Sequence, residues 1–202
     1  MDQEKVSAYY DKACRSADSG WQASLWLSAE DQYYRYVLMG QMLNWQGCSV
    51  LDVGCGQGDL YQFIKERSRN VTYTGIDISG EMVAAAKRKF PDAEFIHADF
   101  LSDEFQPKQY DFVLGIGTFA FRLDNGQMEY LKKSLDKLYK IANRAVGITL
   151  SSIKSAHDMR FEEFYFYYDP AEVLNLCLGV TPSVIMNHST LPLEMAVFLH
   201  KE

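Results

Sequence analysis

VLDVGCGQGDL, residues 50–60, joins an apolar run to a glycine-rich turn and then to a helical pattern. Its three alternate glycines permit a sharp turn and let a ligand come close to bare backbone, and the start of the following helix presents free N–H donors. A glycine turn between a strand and a helix is the setting in which α/β folds bind nucleotides. The stretch therefore predicts a nucleotide-type site; a tight turn without a ligand is the alternative interpretation.

Short β-rich runs alternate with helical patterns from residue 49 onward, which predicts parallel strands joined by crossover helices. The predicted strands are 49–53, 71–77, 93–97, 110–116 and 145–150, and the predicted helices between them are 59–68, 80–89 and 128–142. The segment 169–178 begins with a capping aspartate and a proline, as helices do. SVIMNHS (183–189) and LEMAVFLHK (193–201) then predict two strands of an antiparallel hairpin.

The expected fold class is therefore α/β: a doubly wound, mostly parallel seven-stranded sheet with helices on both faces and a C-terminal antiparallel hairpin. Without a linker or repeat, the 202 residues predict one domain. We divide it into a helical N-terminal cap (1–48, with helices at 3–13 and 29–44), a cofactor-binding core (49–150) and a substrate-side segment with the hairpin (151–202).

Bulk composition excludes several classes of protein. With 48% hydrophobic and 23% charged residues, the chain matches a soluble globular protein. The net charge of -7 disfavours a nucleic-acid partner, which usually needs a basic face. The chain begins without an apolar leader and has no apolar run of membrane-spanning length, so we expect a cytoplasmic protein that does not cross a membrane. Four widely spaced cysteines predict reduced thiols and no metal site.

The spacing of the glycines separates two kinds of nucleotide turn. A dinucleotide fingerprint places its third glycine where this chain has Asp59. The G-x-G-x-G form, preceded by Leu51-Asp52-Val53, resembles motif I of the class I S-adenosylmethionine-dependent methyltransferases, and the resemblance covers about residues 49–150. It implies a Rossmann-like fold and S-adenosylmethionine as cofactor, with S-adenosylhomocysteine as product. The implied cofactor contacts in the turn are Asp52, Gly54, Cys55 and Gly56.

Acidic residues follow the next two strands. Asp77 ends the second strand about 20 residues past the turn, where a carboxylate can accept hydrogen bonds from a ribose diol; a cap for the helix near Gly80 is the alternative role. By resemblance, Asp99 accepts from the adenine amino group and Phe100 packs on the ring. The remaining implied cofactor contacts are Ile78, Met82, Gly115 at the end of the fourth strand, and Arg35, which would meet the methionyl carboxylate. Gly115 equally fits strand termination, and Arg35 a surface position.

The methyl acceptor is less defined by the sequence. Methyl transfer from a sulfonium is an in-line displacement that needs alignment and water exclusion, with no obligatory nucleophile or metal. Candidate substrate-binding residues are Phe121, Arg122, Phe161, Tyr165 and Tyr168, and His157 is a candidate general base. A packed aromatic lid and an exposed histidine are the alternatives. Since the [DN]-P-P-[YF] sequence of adenine and glutamine N-methyltransferases is missing, we expect a small-molecule acceptor methylated at oxygen or nitrogen.

Rival functions share the same strand-turn-helix context. A non-catalytic cofactor-binding or scaffold module would keep the cofactor site without turnover. An NAD-dependent oxidoreductase is a weaker alternative, because it predicts a glycine at position 59. Aminopropyl transfer on the same fold would need an acidic amine site, of which the sequence has no sign. The sequence leaves the oligomeric state open.

Overall fold

A computed structural model describes residues 3–154, 164–189 and 194–201. In chain order the elements are α1 (Gln3–Ser16), α2 (Gly20–Ala23), α3 (Ala29–Met42), β1 (Ser49–Val53), α4 (Asp59–Arg67), β2 (Thr72–Asp77), α5 (Gly80–Lys89), β3 (Glu94–His97), β4 (Tyr110–Gly115), α6 (Gln127–Ile141), β5 (Ala142–Ser151), α7 (Pro170–Leu178), β6 (Val184–Asn187) and β7 (Glu194–His200). No helix of the described ranges has the length and apolar character needed to cross a bilayer.

All seven strands form one sheet in the order β3-β2-β1-β4-β5-β7-β6. The first five are parallel, while β7 pairs antiparallel with both β5 and β6. The predicted fold class, including the antiparallel hairpin, is confirmed. The strand order reverses between β1 and β4, and open α/β sheets bind ligands beyond the carboxyl ends of strands at such a switch point.

Two apolar cores lie on opposite faces of the sheet. One packs beneath α3, α4 and α5 and includes Met39, Ile64 and Ala86; the other packs beneath α6 and α7 and includes Leu135 and Val173. Strands buried on both faces explain the continuous apolar runs in the sequence. The helix α3 of the N-terminal segment therefore belongs to the core that supports the site.

Several element ends differ from the sequence expectation by one to three residues, and two differences have a physical reason. Helix α2 was not expected, since its four residues are too few to show a helical period. Strand β5 begins at Ala142, directly after α6, because Ala142 pairs with Tyr110 ahead of a register shift in the β4–β5 ladder. At α7 the sequence signal holds: Asp169 Oδ1 accepts a hydrogen bond of 2.8 Å from Ala171 N, and Pro170 follows it.

Candidate functional site

The glycine turn after β1 adopts backbone conformations that favour glycine. Gly54, Gly56 and Gly58 have φ values of 75°, 53° and 82°, in the left-handed region. Crowding is a second reason for glycine in this turn, because a Cβ on Gly54 would lie 2.6 Å from Thr118 Oγ1. The Gly54 and Cys55 amides both donate to the carbonyl oxygen of Ile76 in β2, at 2.8 and 3.1 Å. The turn is thus fixed by the neighbouring strand.

The side chain of Asp77, at the end of β2, also stabilises this glycine turn. Its Oδ2 accepts a hydrogen bond of 2.9 Å from Gly56 N, and its Oδ1 accepts one of 2.8 Å from Ser79 N. Burial raises the pKa of Asp77, and the two amide donors oppose that shift. The α5 cap is Ser79, whose Oγ accepts from Met82 N at 3.2 Å. Asp77 is therefore placed at the cavity wall and does not itself cap α5.

Asp52 lies on β1 just before the turn and is almost fully buried. Its Oδ2 accepts a hydrogen bond of 2.5 Å from the Tyr73 hydroxyl. Burial raises the pKa of Asp52 to about 7; the Tyr73 hydrogen bond lowers it, and the nearby carboxylates of Asp77 and Asp59 raise it further. This carboxyl group therefore titrates near neutral pH at the base of the site.

The end of β3 contributes a polar and an aromatic residue. Asp99 Oδ1 accepts a hydrogen bond of 2.9 Å from Leu101 N, which orients the carboxylate. Phe100 is buried and meets Phe119 edge to face, with ring centroids 6.4 Å apart. Asp99 and Phe100 face the cavity together with Ala98, next to the β2 end that carries Asp77.

At the end of β4 the cavity meets Gly117 and not Gly115. Gly117 has a φ of 73°, and a Cβ there would lie 2.6 Å from Trp26 Cη2. Gly115 is the last residue of β4 and is buried against Phe119 and Ile148. The sequence Gly115-Ile116-Gly117 has two glycines near the end of β4, and either could have been chosen as the cofactor contact. Gly117, the second of them, is the one that lines the cavity.

Helix α1 covers the site from above. Ser7 Oγ donates a hydrogen bond of 2.9 Å to Ile78 O, and Asp11 Oδ1 accepts from Ser79 Oγ at 2.6 Å and from Glu81 N at 3.2 Å. These contacts place Tyr10 in the roof of the cavity. No residue of α1 is among the predicted site residues, because a helical pattern does not indicate where the helix docks.

One cavity collects most of the predicted site residues, with about 1100 Å³ of empty space including its open mouth. The predicted residues lining it are Asp52, Gly54, Cys55, Gly56, Asp77, Ile78, Met82, Asp99, Phe100 and Phe121. Further lining comes from Val6, Tyr10, Trp26, Gln32, Thr118 and Leu123, among others. His157 and Phe161 lie outside the described residues. Within the described ranges no group of three or more histidine, cysteine or acidic side chains is arranged to hold a metal.

Arg35 is not among the residues that line the cavity. Its Nε donates to Glu194 Oε2 at 2.8 Å, and its Nη1 lies 2.7 Å from Asp31 Oδ1. The guanidinium also stacks over the Trp26 ring, 4.3 Å from the centroid. Arg35 thus links α3 to β7, and it contacts Trp26, which lines the cavity.

Of the predicted substrate-binding residues in the described ranges, one lines the cavity and the others do not. Phe121 lines the cavity, whereas Arg122, Tyr165 and Tyr168 are not among its lining residues. Tyr168 is fully buried, and its hydroxyl donates to Phe119 O at 3.0 Å. Arg122 Nη2 donates to Tyr165 O at 3.2 Å. These three residues contact segments that line the cavity but do not line it themselves.

Comparison with known proteins decides the family. Residues 50–141 match a family model described as a methyltransferase domain. The chain is 30% identical over 158 residues to Rv1506c of Mycobacterium tuberculosis, which is named as a candidate methyltransferase, and the match covers 76% of this chain and 93% of that protein. The chain belongs to the class I S-adenosylmethionine-dependent methyltransferases. It is accordingly an S-adenosylmethionine-dependent methyltransferase, and S-adenosylmethionine is its cofactor.

Other matches are partial or concern the fold alone. Trans-aconitate 2-methyltransferase of Afipia carboxidovorans is 32% identical over 81 residues, which span 39% of this chain and 32% of that enzyme. The crystal structure of magnesium protoporphyrin IX methyltransferase from Synechocystis PCC 6803 superposes with a TM-score of 0.72 at 15% identity, covering 100% of this chain and 98% of that one. The latter likeness bears out the fold and leaves the acceptor open.

Proposed function

We propose that the protein binds S-adenosylmethionine beyond the carboxyl ends of β3, β2, β1 and β4 and transfers the methyl group to an oxygen or nitrogen atom of a small-molecule acceptor. The observation that carries this proposal is the cavity between the glycine turn and α1, lined by the ends of these strands. The residues it contains fit the cofactor from the adenine end to the methionine end, as the family resemblance implies.

Each part of the cofactor has a matching side chain or backbone group. Asp99 and Phe100 are assigned to the adenine, where a carboxylate and a ring face are adjacent. Asp77 is assigned to the ribose: each oxygen already accepts one amide hydrogen, and each retains a lone pair for a ribose hydroxyl. The methionyl part is assigned to the turn at Gly54 and Gly56, opposite Gly117.

The chain's role in the reaction is alignment and exclusion of water. S-adenosylmethionine supplies a methyl group on a sulfonium: an acceptor lone pair forms a bond to the methyl carbon as the carbon–sulfur bond breaks, its electron pair going to sulfur. The acceptor's proton leaves to water or to a base, for which His157 remains the candidate. A roof formed by α1 and a wall formed by Phe121 restrict water, and holding the acceptor in line supplies much of the rate enhancement.

The cover over the cavity favours a small acceptor. With Ser7 and Asp11 bonded to the ends of β2 and α5, α1 restricts access for a macromolecule. The net charge of -7 gives no attraction for nucleic acid.

Thermal unfolding with S-adenosylmethionine, S-adenosylhomocysteine and NADH, each tested separately, examines the cofactor assignment. A ligand at one hundred times its dissociation constant stabilises the folded state by about 2.7 kcal/mol. We expect this stabilisation with the two sulfur compounds and none with NADH; the reverse pattern would reject the proposal. Assaying S-adenosylhomocysteine formation with a library of small metabolites then tests turnover, and binding without turnover on any of them would favour a non-catalytic cofactor-binding module.

A further inference from the structure

The wall of the cavity beside the proposed cofactor site is aromatic. Tyr10 from α1 and Phe121 from the loop after β4 meet edge to face, with ring centroids 5.3 Å apart and an interplanar angle of 88°. Leu123 continues this wall. Both segments overhang the carboxyl ends of the strands, where the acceptor has to enter. We call Tyr10, Phe121 and Leu123 the acceptor wall.

Phe121 is held in place from behind, so the wall has a defined shape. The rings of Tyr9, Phe164 and Tyr165 contact it at centroid distances of 5.3, 6.2 and 5.6 Å. Its loop is also bonded through the backbone: Phe166 N donates to Ala120 O at 2.7 Å, and Arg122 N donates to Phe164 O at 2.8 Å. Phe121 is 5% exposed, so the part of its ring that faces the cavity is a fixed aromatic surface, against which a flat ring can pack.

The ionisable carboxyl groups that line the cavity are not accompanied by basic side chains. Among the described residues that line it, the acidic side chains are Asp52, Asp77 and Asp99, and no lysine, arginine or histidine accompanies them. The two nearby arginines are engaged elsewhere: Arg35 with Glu194 and Asp31, and Arg122 with Tyr165 O and the Phe166 ring. At pH 7 Asp52 is partly protonated, since its pKa is about 7, but an anionic acceptor would still face acidic side chains with no lining cation among the described residues. Like charges repel more strongly there than in water, because the effective dielectric is lower.

Tyr10 is the residue of the acceptor wall that carries a polar side-chain group. A phenol is protonated at neutral pH, and burial, with Tyr165 and Asp77 nearby, raises the pKa of Tyr10 further. It is therefore a hydrogen-bond donor in the roof of the cavity. A donor of this kind matches a neutral oxygen or nitrogen acceptor atom.

Resting on the proposed function, we infer that the acceptor wall selects an uncharged, ring-bearing acceptor, with its ring on Phe121 and its polar atom hydrogen-bonded to the Tyr10 hydroxyl. This narrows the acceptor from small molecules in general to neutral cyclic compounds and disfavours carboxylic acids.

A matched pair of flat probes tests the inference at pH 7: 2-naphthol, which is neutral, and 2-naphthoate, which has the same ring system and a negative charge. Calorimetry measures their binding to protein saturated with S-adenosylhomocysteine. We expect 2-naphthol to bind at least about tenfold more tightly than 2-naphthoate. Tyr10→Phe should weaken 2-naphthol binding by about three- to tenfold, the value of one hydrogen bond, and leave 2-naphthoate binding nearly unchanged.

Tyr9→Phe is the matched control, since Tyr9 is the adjacent residue on α1, touches Phe121 equally closely, and does not line the cavity. It should leave 2-naphthol binding unchanged. Equal or tighter binding of 2-naphthoate, equal effects of the two tyrosine substitutions, or failure of both probes to bind would each overturn the inference. Failure of S-adenosylhomocysteine itself to bind would instead reject the proposed function, so the two results are distinguishable.

Discussion

The Gly56 amide donates a hydrogen bond of 2.9 Å to the Asp77 carboxylate, and this bond joins the two parts of the cofactor site. The first β–α turn is thereby fixed by the end of the second strand. The same carboxylate is the proposed ribose acceptor. A site fixed in this way loses less conformational entropy when the cofactor binds.

Asp77→Ala should weaken binding of S-adenosylmethionine by about 1–3 kcal/mol, because it removes hydrogen bonds to a charged acceptor. The loss of the Gly56 and Ser79 contacts should also lower the free energy of unfolding. Calorimetry measures the first effect and denaturant unfolding the second. Asp92→Ala is the control: its exposed carboxylate pairs with Lys65 outside the cavity. Equal affinity in the two variants would contradict the ribose assignment.

Gly54→Ala should be more destabilising than Gly47→Ala, although both glycines have positive φ values, of 75° and 66°. An L-residue in this conformation costs about 1–2 kcal/mol at either position. At Gly54 the added methyl group would also meet Thr118 Oγ1, whereas at Gly47 nothing lies within 4 Å. We expect an additional loss of about 1–3 kcal/mol at Gly54 from overpacking, measured by urea unfolding. Similar losses would show that the turn has more room than its geometry indicates.

Asp52→Asn should flatten part of the pH dependence of stability. The pKa of Asp52 is about 7 in the folded protein, against an ordinary value of 3.8, so the folded state binds more protons than the unfolded state between these values. As far as this group is concerned, stability is greatest below about pH 4 and falls as the pH rises to about 7. Asparagine can still accept from Tyr73 and carries no charge.

The variant should therefore gain stability relative to wild type as the pH rises, by about 1–4 kcal/mol at pH 8, from the linkage relation. Unfolding in urea at several pH values measures this difference. Asp77, whose pKa is also raised, will retain some of the dependence. A difference between variant and wild type that does not change with pH would mean that Asp52 is already ionised throughout.

Asp11→Ala should speed release of S-adenosylhomocysteine, because it removes the carboxylate that accepts the hydrogen bonds from Ser79 and Glu81 and so holds α1 in place. Losing a capping interaction costs about 0.5–2 kcal/mol, so we expect release to be about 2- to 30-fold faster. Stopped-flow displacement measures the rate. Asp18→Ala serves as the control on an exposed carboxylate beyond the end of α1. Equal rates for both variants would show that α1 does not limit release.

Some site residues could be predicted because their positions follow from local rules. The glycine turn is contiguous in sequence, and Asp77 and Asp99 end parallel strands that share one edge of the sheet. Tyr10 could not be predicted in the same way, because its role depends on where α1 docks. For Gly115 and Gly117 the pattern gave the right segment, but only the backbone φ values distinguish the residue in the strand from the one at the cavity.

Arg35 shows the limit of the sequence argument. Its position on a helix ahead of the turn suits contact with the methionyl carboxylate, but its partner Glu194 is 159 residues away in the chain. A pair so distant in sequence cannot be recognised from spacing. The described geometry gives Arg35 a structural role, and this alternative can be separated from the cofactor role by experiment.

Arg35→Met should lower the free energy of unfolding by about 3–5 kcal/mol, because removing one partner of a buried ion pair leaves the other charge uncompensated. Combining it with Glu194→Met should recover much of that loss, since the buried carboxylate is then removed as well. If Arg35 acts only structurally, the double variant should bind S-adenosylhomocysteine within about twofold of wild type. A loss of more than about tenfold, or 1.4 kcal/mol, in a double variant of restored stability would instead assign Arg35 to the cofactor.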